Sequence, residues 1–188
     1  MGRSGGEARR ARACPPGASR IVHQRDFLVV GSAAILASFD DDVLPVAATR
    51  SDEADLAPYD DPDGLKSMEL EGSLGQGSMF HGTFGYYADG VDFTTAVPPD
   101  GWQSRLVAFD TPGSDEGRGM CLEPHDLAAA KLAAGREKDY EFATALLDAG
   151  LIDIDVLAER VAGLPRERVL PGFLLRVERF IARRHPGA

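Results

Sequence analysis

Apolar residues in the first third of the chain fall in short unbroken runs, not in long periodic stretches. Phe27-Leu28-Val29-Val30 is one such run, and four apolar residues in succession suit a strand buried on both faces. It stops at Gly31-Ser32, and the small apolar residues 33–39 then predict a short buried helix. Asp40-Asp41-Asp42 closes this strand–turn–helix unit as a polar loop. A second strand is predicted within 51–57, cut off by Pro58. Leu65, Met68, Leu70 and Leu74 recur at helical spacing and predict a helix over 65–74. Glycines at 72, 75, 77, 82 and 85 then mark a loop. Residues 83–88 and 91–94 flank Asp89-Gly90, the pattern of a β-hairpin. Segments 105–109 and 119–122 predict two further strands around a loop at 111–118.

After Pro124 the period changes. A helix is predicted over 125–134, with proline near its start and Gly135 as its stop. A second follows over 137–149, with Tyr140, Phe142, Ala143, Leu146 and Leu147 inward, and two more over 155–162 and 171–184. Mixed elements followed by a helical third predict an α+β fold: a mixed β-sheet with flanking helices and a helical C-terminal region. The expected divisions are a disordered tail at 1–20, an α/β core at 21–122 and helices at 123–188 packed on it. The tail expectation rests on composition, because residues 1–20 are Gly, Arg, Ala and Pro with few apolar side chains to offset ordering.

Composition narrows the classes. The 188 residues are 44% hydrophobic, enough for a core without staples. Two cysteines, Cys14 and Cys121, exclude a disulfide framework and a cysteine-based zinc site. Scattered His23, His81, His125 and His185 form no zinc-hydrolase motif. No apolar run reaches membrane-spanning length and no secretory signal is evident, so the expected location is the cytoplasm. The net charge of −10 argues against a dedicated DNA- or RNA-coating surface, although it leaves room for a local basic groove. Acids crowd into 40–71, where eleven Asp or Glu face only Arg50 and Lys66. The last predicted helix carries Arg176, Arg179, Arg183 and Arg184, a face suited to solvent, RNA or a partner.

Candidate chemistry lies among the carboxylates. Glu53 and Asp55 are two residues apart, so a strand would aim both to one face. Such a pair can hold a divalent metal that offsets its repulsion. Asp92, read as part of another strand, would be a third carboxylate for one or two Mg²⁺ (or Mn²⁺) ions. The Gly31-Ser32 turn offers backbone N–H groups and a hydroxyl to phosphate. These parts together suit phosphoryl or nucleotidyl transfer, in which positioning and charge stabilisation dominate.

The run from Phe27 through Gly31-Ser32 to Ala34, followed by Arg50-Ser51-x-Glu53-x-Asp55-Leu56, resembles the nucleotidyltransferase superfamily. The later segments Val97-Pro98-Pro99-Asp100-Gly101-Trp102, Arg105-Leu106-Val107, Pro124-x-Asp126-Leu127-x-x-x-Lys131-Leu132 and Arg136-x-Lys138-Asp139 sharpen the likeness. They resemble a bacterial family of uncharacterised nucleotidyltransferase-like domains and, more distantly, abortive-infection nucleotidyltransferase toxins. The resemblance spans roughly residues 22–160. It implies that Gly31 and Ser32 contact phosphates and that Glu53 and Asp55 hold the metal. Asp92 would act as base or complete a second metal site, and Lys131 would reach a phosphate. It also implies a nucleoside triphosphate as substrate and a hydroxyl acceptor on a small molecule, a protein or an RNA end. Arg136, Lys138 and Asp139 follow Gly135 at a helix junction, where a structural pairing is the stronger expectation. One departure stands out: Glu53 occupies the position where the superfamily has Asp. The alternative is therefore a catalytically weak or inactive binding protein on this scaffold, of the kind that forms half of a toxin–antitoxin or phage-defence pair.

Overall fold

The computed structural model describes residues 6–110, 117–169 and 171–184. Residues 1–5 of the expected tail and 111–116 of the expected loop lie outside them. Helix α1 (Gly6–Val22) leads into strand β1 (Asp26–Val29) and 3₁₀ turns at Ser32–Ala37 and Val46–Ala48. Strand β2 (Glu53–Pro58), helices α2 (Leu65–Leu74) and α3 (Met79–Phe84) and strand β3 (Tyr87–Gly90) come next. Two further 3₁₀ turns, Phe93–Thr95 and Trp102–Arg105, precede β4 (Val107–Asp110) and β5 (Arg118–Cys121). The last third is helical: α4 (Pro124–Ala134), α5 (Glu137–Asp148), α6 (Ile154–Ala162) and α7 (Pro171–Arg184). The α+β architecture is as the hydrophobic pattern predicts.

The five strands lie in the order β3-β2-β1-β5-β4. The β1–β5 and β2–β3 pairs are parallel, whereas β1–β2 and β4–β5 are antiparallel. Strand β1 is central, which explains its unbroken apolar run: Phe27 and Val29 join the main core on one face, and Leu28 joins Val30 and Ala57 on the other. Strand β2 alternates instead. Ala54 and Leu56 are buried in the main core, while Glu53 and Asp55 sit half-buried on the opposite face.

Two expectations are corrected. The tail reading of 1–20 fails over residues 6–20, which belong to α1. Cys14, Ala18 and Val22 recur every fourth residue and are buried in the core, so three small or medium apolar side chains suffice to dock a helix whose composition otherwise looks unstructured. The backbone fits closely too: a Cβ on Gly117 would overlap the Pro15 carbonyl. The second correction concerns Asp89-Gly90, which is no hairpin turn. It lies inside β3, and β3 pairs parallel to β2 across the α2–α3 crossover. That crossover includes α3, in the stretch read from its glycines as a loop.

One core cluster runs from Cys14 to Ile181, through the sheet and into the C-terminal helices. Buried Asp126 on α4 ties the regions together. It accepts from Arg105 Nε at 2.8 Å and Nη2 at 3.0 Å, and Arg160 of α6 lies 3.1 Å away. Among the described residues, no helix is long and apolar enough to cross a membrane.

Candidate active site

The β1 ladder continues past its last strand residue, with Val30 N–H donating to the Asp55 carbonyl at 3.2 Å. This lays Gly31 alongside Asp55. A Cβ at Gly31 would overlap Asp55 Oδ2, so the glycine is there for space. Its φ of −81° is open to any residue. Ser32 then opens the 3₁₀ turn at 32–37. Because Glu53 and Asp55 are i and i+2 on β2, both carboxylates project from the same face, as their spacing predicts.

Opposite them stands the α4–α5 corner. Gly135 ends α4 with φ of +74°, a left-handed conformation that glycine takes without strain. The chain turns there, so Lys131 from the last turn of α4 and Arg136 from the start of α5 reach the same space. Asp139 is fully buried and holds both: its carboxylate accepts from Arg136 Nε at 2.7 Å and lies 3.6 Å from Lys131 Nζ. Lys131 Nζ also sits 4.8 Å from the centre of the Phe142 ring.

Gly31, Ser32, Glu53, Asp55, Lys131 and Arg136 thereby line one cavity of about 430 Å³, with Arg50, Lys138 and Glu141 at its walls. That volume lies within the range of small-molecule sites. Burial pushes the Asp55 carboxyl up to about 7, helped by the negative charge of Glu53 and a hydrogen bond with its carboxyl, and opposed by Lys131. Lys131 is lowered from the usual lysine range by burial, with Asp139 working against the shift. The Tyr87 hydroxyl donates to Glu53 Oε2 at 3.5 Å.

Asp92 is elsewhere. It is the N-cap of the 93–95 turn, exposed, with Oδ1 accepting from the Thr94 backbone N–H and hydroxyl. It does not line the cavity, although Thr95 and Ala96 after it do. The segment is a capped turn, not the strand that Val-Asp-Phe suggests. The carboxylate that registers with Asp55 across the β2–β3 ladder is Asp89. Burial raises its pKa, and Glu53 adds to the shift. Asp89 also accepts from Gln76 N–H at 3.3 Å. No sequence signal marks it, since Asp-Gly reads as a turn. Among the described residues, no three acidic, histidine or cysteine side chains come close enough to hold a metal together; the close pair is Glu53 and Asp55. Arg136 and Lys138 were legible only through the segment that carried the family resemblance.

A carboxylate pair on one wall thus faces ammonium and guanidinium groups on the other, with a glycine turn between them. A family model described as nucleotidyltransferase of unknown function (DUF6036) matches residues 18–167, and the chain belongs to that family. No curated protein and no solved structure matches the chain.

Proposed function

We propose that this protein binds a nucleoside triphosphate in the 430 Å³ cavity and transfers its nucleotidyl group to a hydroxyl acceptor. The observation that carries this reading is the convergence of Gly31, Ser32, Glu53, Asp55 and Lys131, from three separate elements, on one cavity. Lys131, Arg136 and Lys138 are suited to the phosphates, Arg136 through its planar fork and the lysines as point charges. The carboxylate pair suits Mg²⁺ or Mn²⁺. Two adjacent acids, one pushed up to about 7 by burial and its neighbour's charge, are held anionic most easily by a cation between them. Mg²⁺ takes one or two protein carboxylates and completes its shell with water and phosphate oxygens. Such an ion would supply charge neutralisation at the phosphates.

In the transfer, the acceptor oxygen forms a bond to the α-phosphorus while the α–β bridging bond breaks. Pyrophosphate leaves with that electron pair, and the hydroxyl proton passes to water. The chain's own part is to hold the phosphates between the Gly31-Ser32 turn and the α4–α5 cations, so that catalysis is mostly positioning.

The second reading, a weak or inactive binding protein, is favoured by Glu53 in place of Asp and by Asp92 standing outside the cavity. Titrating ATP, GTP, CTP and UTP with Mg²⁺ into the protein in a calorimeter tests both readings. The first expects metal-dependent binding of at least one nucleotide, lost in the Glu53→Ala/Asp55→Ala variant, and pyrophosphate release once an acceptor is supplied. Binding without release in any acceptor mixture selects the second reading. No binding by a folded sample overturns the enzyme.

A further inference from the structure

Helix α7 divides its charges between two sides. Glu178 lies 3.7 Å from Arg166, in the short turn that follows α6. On another side, Arg176, Arg179 and Arg183 line a groove of about 610 Å³ together with Tyr140 of α5, Leu175 and Phe180. Neither Arg179 nor Arg183 has a carboxylate within ion-pair distance among the described residues. Arg176 donates to the Gly135 carbonyl at 3.5 Å and packs on Phe173. A fourth, Arg184, lines the same groove, paired with Asp148 at 2.8 Å and seated over the Phe180 ring. In a chain of net charge −10, three guanidinium groups without carboxylates beside one that keeps its own form a local reversal of field.

The floor of this groove is aromatic. Tyr140 and Phe180 meet edge to face at 5.5 Å. The Tyr140 hydroxyl is buried and has no hydrogen-bond partner, a group that a bound molecule can satisfy. The groove also adjoins the catalytic cavity. Arg176 bonds to Gly135, and the next residue, Arg136, lines that cavity.

We infer that the α7 groove binds the sugar–phosphate backbone of a single-stranded nucleic acid, whose terminal hydroxyl is the acceptor at the catalytic cavity. The identification of the acceptor rests on the nucleotidyl-transfer reading; binding of the strand does not. Guanidinium forks match phosphate oxygens, and the Tyr140–Phe180 pair, with the Arg184 guanidinium lying over Phe180, offers a mixed ring and guanidinium surface to bases. A strand entering this groove has a repeating negative charge along α7 and a hydroxyl at its end, so one ligand satisfies both the groove and the reaction. An acidic peptide would meet the arginines but has no bases for the rings.

The test is fluorescence anisotropy of the full chain with labelled unstructured 15-nucleotide RNA and DNA strands at 50–300 mM salt, without nucleotide. Unlabelled strands and oligoglutamate serve as competitors. Binding is expected to weaken with salt. In Arg179→Glu/Arg183→Glu it should fall at least tenfold, and the slope of log K against log salt should flatten by roughly 1.4, at about 0.7 per lost phosphate contact. Arg179→Lys/Arg183→Lys should retain most of the salt slope. Preference for RNA over DNA would identify the sugar, and either strand supports the groove. Calorimetric ATP binding is expected to be unchanged in the charge-reversed variant, which separates failure of the groove from failure of the cavity. Absence of strand binding at 50 mM salt overturns the inference, as does indifference to charge reversal in a variant that melts like the parent. Oligoglutamate competing as well as a strand assigns the groove to acidic protein instead and also overturns it.

Discussion

At the scale of single residues, Gly31 and Asp55 form a matched pair. The absence of a side chain at one leaves the space that an oxygen of the other fills. Gly31→Ala should therefore displace the Asp55 carboxylate, costing on the order of 1–3 kcal/mol of stability and at least tenfold in Mg²⁺-dependent nucleotide affinity. Denaturant melts and calorimetry read the two effects. Asp55 also gives the fold a pH signature. Its carboxyl is raised to about 7 in the folded protein, so between the unfolded value near 4 and pH 7 the folded state binds the extra proton. The stabilising effect of that proton is complete below about pH 4 and disappears as pH rises through 7. Urea unfolding of the wild type should lose stability over this window relative to Asp55→Asn, which stays neutral throughout. Added Mg²⁺ should recover the loss at pH 8 in the wild type and not in Glu53→Ala/Asp55→Ala.

Helix α1 raises a different question at the scale of elements. Its docking depends on a stripe of Cys14, Ala18 and Val22 within a sequence rich in Arg, Gly and Pro. Burial pushes the Cys14 thiol up to about 12 and raises Cys121 as well. Both should therefore resist a thiol reagent at pH 8 in the native protein and react when it is unfolded in urea. A tail would expose Cys14 to immediate labelling. Ala18→Asp places an unpaired charge in the core and should lower stability by several kcal/mol, read as a drop in Tm. A substitution in a tail would leave Tm unchanged. The α4–α5 corner is the second element that matters here. One left-handed glycine and one buried acid, Asp139, bring a lysine and an arginine from successive helices to one cavity. Gly135 also lies against α7, since a Cβ there would meet the Phe173 ring at 2.7 Å.

Across the whole molecule, the helical third and the sheet share a core and a buried ion cluster. Asp126 is held by Arg105 from the stretch before β4 and by Arg160 from α6. Removing one partner of a buried pair leaves an uncompensated charge, at a typical cost of 3–5 kcal/mol. Asp126→Ala should therefore destabilise the sheet and the helices together. A single calorimetric transition that moves as one to lower temperature is the expected result; two separate transitions would mean that the helices fold independently.

The sequence by itself determined much of this protein. Continuous apolar runs marked β1, recurring apolar positions of which Leu70 and Leu74 are buried marked α2, and proline and glycine punctuation marked α4, because these are local signals set by the periods of strand and helix. The i, i+2 spacing of Glu53 and Asp55 likewise committed both carboxylates to one face of β2. Tertiary structure alone decided the rest. Asp89 registers with Asp55 only because the α2–α3 crossover returns β3 parallel to β2, and Asp-Gly carries no trace of a partner more than thirty residues away. Asp92 left the cavity because its side chain bonds to Thr94 two residues on, closing a turn where alternation suggested a strand. Docking of α1 depended on a complementary surface built by the later chain. Periodicity reports how a segment will coil. Which face meets which, and therefore which acids and cations share a cavity, is settled by packing among distant segments.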